Sequence, residues 1–176
     1  MSKRMFSEIQ PHLVPARILL VGRTGGISSL IREVTKSRYS HVALVADSMD
    51  VAIVIEATMD VLGVAARRIQ VITEDPAVEH LALLDLASED GLEDYQRRLI
   101  CQAAWLQTGE AYSNLVNLDI FNHIPVDQPE TRQSVNCALM VARAWKAIGL
   151  TTIDVSRPTP QAFAESPLLK TVWSSA

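Results

Sequence analysis

The chain has 176 residues, 48% of them hydrophobic, which suits one domain with room for a sizeable core and argues against disorder. A formal net charge of −4, with no long arginine-lysine cluster, excludes nucleic-acid binding that relies on a basic face. Two cysteines, Cys101 and Cys137, without Cys-x-x-Cys spacing, make neither a disulfide framework nor a structural metal site.

Lys3 and Arg4 imitate the start of a signal peptide, but Glu8, Pro11, His12, Pro15 and Arg17 interrupt any apolar stretch behind them. No apolar run reaches the roughly 18–20 residues of a membrane-spanning helix. The chain is therefore expected in the cytoplasm; export by a non-Sec route would leave no readable signal. Residues 1–15 are expected as an N-terminal extension of a single domain covering 1–176.

A strand is predicted over 16–21 and a helix over 26–36, with Ile27, Leu30, Ile31 and Val34 on one face. Between them, Gly22-Arg23-Thr24-Gly25-Gly26 joins strand to helix but lacks the Lys-Ser/Thr ending of a phosphate-binding loop. The runs 40–47 and 51–58 are short, rich in β-branched residues and bounded by polar ones, so they read as a strand pair. A symmetric two- or four-residue loop would set Asp47 opposite Asp50, and thus His41 directly opposite Glu56 on the same face. A three- or five-residue loop would flip Glu56 to the other face.

Short strand candidates follow at 62–66 and 68–72, and a stronger one at 80–86. Ser88-Glu89-Asp90-Gly91 opens a helical pattern over 92–107 that closes before Gly109, and a second helical piece is read from Tyr112 to Val116. A Pro-containing loop at 124–129 precedes a helix from Cys137 toward Gly149, with Asn136 or Ser134 as its cap. Ala138, Val141, Ala142, Trp145 and Ile148 recur there at helical spacing.

These elements place a chemistry. A thiol nucleophile needs a base to take its proton and a third group to orient that base, and His41 and Glu56 offer both to Cys137. A cysteine in a first helical turn feels the positive end of the helix dipole and lies beside N–H groups suited to an oxyanion. The order His41, Glu56, Cys137, with the histidine in Ser40-His41-Val42-Ala43-Leu44-Val45, resembles the circularly permuted branch of the NlpC-type cysteine peptidase superfamily, and within it YiiX/YebB-like proteins. Lecithin:retinol acyltransferase-like enzymes are more distant relatives. Gly109-Glu110-Ala111-Tyr112 is similar to the family's Gly-x-x-Tyr segment, and 159–166 to its helix after the cysteine. The chain departs from the pattern in lacking Gly-Asp before its first strand and in having Ala138 where serine commonly follows the cysteine.

The resemblance implies an α+β, permuted papain-like fold with a small antiparallel sheet packed against helices. It also implies hydrolysis of an amide bond, with cell-wall peptides as one substrate class, and a supporting role for Tyr112 beside the oxyanion or substrate. Lipid esters are the alternative acyl donors, and a catalytically silent binding module is the non-enzyme alternative. No cofactor is expected, and the oligomeric state is left open. Against these readings stand blander ones: a free cysteine is usually a small buried hydrophobe, as Cys101 is expected to be. Tyr112 is ordinarily a packing aromatic. His12, His80 and His123 lack metal spacing and are read as structural or surface residues.

Overall fold

In the computed structural model, which describes residues 2–48, 51–112, 134–153 and 158–175, the apolar runs become strands of one sheet. The chain order is α1 (Ser2–Ile9), a 3-10 turn (Gln10–His12), β1 (Ile18–Arg23), α2 (Gly26–Thr35), β2 (His41–Asp47), β3 (Ile53–Thr58) and β4 (Gly63–Arg68). Then come α3 (Gln70–Thr73), β5 (Val78–Leu86), α4 (Asp94–Trp105), β6 (Ala111–Tyr112), β7 (Ser134–Val135), α5 (Cys137–Lys146), α6 (Pro160–Ala164) and β8 (Leu169–Ser174). The sheet order is β7-β6-β4-β3-β2-β1-β5-β8, and every neighbouring pair but β6–β7 runs antiparallel. The molecule is thus α+β, a mainly antiparallel sheet packed against helices.

Alternation along the strands makes two cores. Ile18, Leu20, Val42, Leu44, Ile55 and Ala57 face one way and pack with α4 and α5, where Trp145 is fully buried, and with Phe163 of α6. Leu19, Val21, Ala43, Val45 and Val54 face the other way and meet Ile9, Leu13, Ile69 and Ile72. The N-terminal residues expected as an extension therefore supply part of the second core. Two further expectations are corrected. Residues 68–72 are the end of β4 and the short helix α3, not a separate strand, and Tyr112 lies in β6, not in a helix. The remainder of that expected helical piece, and the 124–129 loop, lie outside the described residues. Strand β8 was not foreseen.

The β2–β3 register also differs from the symmetric hairpin. Leu44 pairs with Ile55 and Val45 with Val54, two residues further along than expected, whereas Asp47 pairs with Ile53. The five-residue connection from Asp47 to Ile53 would by itself flip Glu56 away from His41. The bulge between Val45 and Asp47 takes up one residue and restores the parity. Continuing the register, Glu56 falls opposite Ala43, diagonal to His41 on the same face and within reach of a long side chain.

Candidate active site

His41 is the first residue of β2 and pairs with Val21. The segment ahead of it is pinned to β1: the Ser40 N–H donates to the Val21 carbonyl at 2.9 Å, and the Ser40 hydroxyl accepts from the Arg23 N–H at 3.2 Å. Gly22 permits this approach, because a Cβ there would stand 2.4 Å from the Arg38 carbonyl oxygen. The imidazole is thereby set at a fixed place at the end of the sheet.

Glu56 is 1% exposed. A carboxylate so buried is costly unless both oxygens find partners, and both do. His41 Nε2 lies 2.6 Å from Oε2, and Arg67 Nη1, from β4, lies 3.2 Å from Oε1. Burial alone would raise the Glu56 pKa; the hydrogen bond and charge of His41, with the charges of Arg67 and Arg23, reverse this and hold it below the ordinary carboxylate value. The expected His41–Glu56 contact is therefore made, although by a diagonal pair.

Cys137 is the first residue of α5. Asn136 caps that helix: its Oδ1 accepts from the Leu139 N–H at 2.7 Å, while its Nδ2 donates to the Pro158 carbonyl at 3.4 Å. The N–H groups of Cys137 and Ala138, in the first turn, have no acceptor within the helix. The Cys137 side chain lies close enough to His41 to act on its charge. Burial would lower the His41 pKa, but the charge of Cys137, joined by the hydrogen bond and charge of Glu56, pushes it up to about 10. The imidazole so placed favours its protonated form.

A reactive Cys137 would be expected to be accessible, in contrast to a core Cys101. They are in fact 7% and 8% exposed, so burial does not distinguish them. Their surroundings do. Cys101 donates to the Val45 carbonyl at 3.7 Å, and burial pushes its thiol pKa up.

Tyr112 is half-buried against the first core and pairs with Val135, two residues before Cys137, so its strand lies beside the one that leads into Cys137. Its N–H donates to the Leu62 carbonyl at 3.0 Å. The turn Gly22–Gly26 is internally satisfied at Gly25, whose N–H donates to the Ser29 hydroxyl at 2.9 Å. His12 stacks on Trp173 and His80 lies among Arg32, Arg38 and Glu79; His123 is outside the described residues. Arg67 escaped the sequence reading. Its one signal is a position in the strand after Glu56, and the β3–β4 register that brings the two together is not written in either residue.

No family model and no curated protein matches the chain. Among solved structures it is similar to metalloprotein yiiX from Escherichia coli O157:H7 (DUF1105), with a TM-score of 0.69 over 92% of this chain and 97% of that one, at 17% sequence identity. The fold is YiiX-like. At that identity the likeness speaks to the fold, and the chemistry rests on the residues that the YiiX-like frame positions in this chain.

Proposed function

We propose that this protein is a thiol-dependent hydrolase of the permuted NlpC type, cleaving an amide bond through an acyl-enzyme on Cys137. The observation that carries the reading is His41, held by Glu56 at 2.6 Å, with Cys137 at the first position of a helix as a neighbour that acts on its charge. Since Nε2 is taken by Glu56, Nδ1 is the nitrogen left to exchange a proton with the sulfur.

His41 takes the Cys137 proton, and the thiolate attacks the carbonyl carbon to form the C–S bond. The N–H groups of Cys137 and Ala138 are placed to hold the resulting oxyanion, and Tyr112 lies in the strand beside the one that leads into Cys137. As the C–N bond breaks, the leaving amine receives the proton from His41. Water then gives a proton to His41 and adds to the thioester carbonyl, the C–S bond breaks, and the acid product leaves. Glu56 keeps the imidazole oriented and stabilises its charge throughout. Peptides with accessible amide bonds, cell-wall peptides among them, are the proposed substrates.

One observation favours lipid esters as a second reading. Helix α2 buries none of its residues, and Ile27, Leu30 and Val34 are exposed along one face, a short connection ahead of His41. An exposed apolar helix close in sequence to His41 is what an enzyme working at a lipid surface requires.

The metal implied by the name metalloprotein yiiX does not fit these three residues. Glu56 has one oxygen on His41 and the other on a guanidinium, so a cation would have to displace Arg67. Among the described residues no group of three or more His, Cys, Asp and Glu side chains is arranged to hold a metal ion. Among these residues, too, no helix is long and apolar enough to cross a membrane.

The test is turnover of cell-wall peptides, simple amides and phospholipids by wild type and Cys137→Ala, with mass spectrometry for an acyl group on Cys137. The reading expects an adduct and a loss of about 10³-fold or more in the variant with binding retained. A binding module would show equal affinity in both forms and turnover in neither. Undiminished turnover in Cys137→Ala would refute the mechanism.

A further inference from the structure

We propose that Arg67 is a positioning residue of this site: its guanidinium, 3.2 Å from Glu56, supplies the charge that lets Cys137 lose its proton beside an imidazolium without leaving the buried cluster negative. The proposal rests on the thiol-hydrolase reading and deepens it.

In the reactive form Cys137 and Glu56 are negative while His41 and Arg67 are positive, and the four cancel. Glu56 is 1% exposed and the His41 side chain 13%, so an unbalanced charge there is poorly solvated. Without Arg67, a neutral cluster containing both Glu56 carboxylate and His41 imidazolium requires Cys137 to keep its proton. Arg67 thus releases the carboxylate from serving the imidazolium alone.

The surrounding charges do not substitute for it. Arg23 of β1 also acts on Glu56, but it is paired with Asp75 at 3.5 Å. Asp60, in the β3–β4 turn, lies 3.5 Å from Arg67 Nη1 and is 65% exposed, so water screens most of its pull. On α5, Arg143 and Lys146 lie in the last turn, Arg143 paired with Glu110 at 3.3 Å. Arg67 meets Glu56 through a single nitrogen, a contact that a lysine ammonium could reproduce.

The experiment is the rate of Cys137 alkylation by iodoacetamide against pH, read by mass spectrometry, in wild type, Arg67→Met, Arg67→Lys, Glu56→Gln and Glu56→Gln/Arg67→Met. It requires no substrate. The midpoint is expected about one pH unit higher in Arg67→Met and largely restored in Arg67→Lys. In the Glu56→Gln background, Arg67→Met should move it less, because Glu56 no longer holds the guanidinium beside the site. A low wild-type midpoint left unchanged by Arg67→Met would overturn the role of Arg67 alone, as would the same shift persisting without Glu56. A wild-type Cys137 that titrates like an ordinary thiol would overturn the underlying hydrolase reading instead.

Discussion

Glu56 concentrates the problem this site has to solve, since a carboxylate at 1% exposure survives only by engaging every acceptor it has. Glu56→Gln keeps the shape but removes the charge that stabilises imidazolium, so turnover should fall about 10²- to 10⁴-fold. The variant should still fold, at a cost of about 1–3 kcal/mol in urea unfolding, because a charge-assisted hydrogen bond is lost. Full activity would remove Glu56 from the triad. The same contacts shape stability against pH. His41, raised from 6.5 to about 10, contributes stability that is complete below its unfolded pKa and lost as pH rises through about 10. Glu56, lowered from 4.5, contributes above that value and loses its contribution as pH falls through its lower folded pKa. The melting temperature should therefore decline on the alkaline side, and the decline should be smaller in His41→Gln; identical alkaline profiles would contradict the raised pKa.

At the scale of elements, the site depends on a helix start and a strand bulge. Asn136 is 1% exposed and caps α5 next to Cys137, so Asn136→Ala should cost about 1 kcal/mol in denaturant unfolding and, on the proposed mechanism, also slow turnover by loosening Cys137. A loss of stability with turnover untouched would mean that the cap does not position the thiol. The helix was legible because Ala138, Val141, Ala142 and Trp145 repeat at its period behind a capping residue. The His41–Glu56 contact was legible for a reason that was only half right: the symmetric hairpin had the correct parity, but the observed parity comes from a five-residue connection compensated by a bulge. Side-chain alternation reports a face and not a register, and so it could not bring Arg67 to Glu56. Strand β8 lay hidden because Leu169–Ser174 is half exposed at the sheet edge and has no clean alternation of burial to betray it.

For the molecule as a whole, residues ahead of β1 look dispensable in sequence, since Pro11, His12 and Pro15 break their pattern. In three dimensions Ile9 is fully buried against Leu19 and its neighbours in the second core. The segment is also tied down by charge: Arg17 donates to the His12 carbonyl at 2.7 Å and Arg97 to the Pro15 carbonyl at 2.9 Å, while both guanidiniums grip Asp85. Ile9→Ala should thus cost about 2–5 kcal/mol, the range for a core truncation, measured by urea denaturation. A cost below about 0.5 kcal/mol, normal for a surface position, would show the segment to be an appendage after all. Its packing was unreadable because a short helix joins a core through partners distant in sequence.

The central claim is that His41 and Glu56 activate one cysteine of two, and the chain carries its own control. Cys137 and Cys101 are almost equally buried, at 7% and 8%, and differ in what surrounds the sulfur. Limiting iodoacetamide at pH 7, followed by peptide mass spectrometry, compares them in a single sample. The account predicts that Cys137 is labelled well ahead of Cys101, and that the preference shrinks in His41→Gln. Equal labelling of the two cysteines, or Cys101 first, would contradict it.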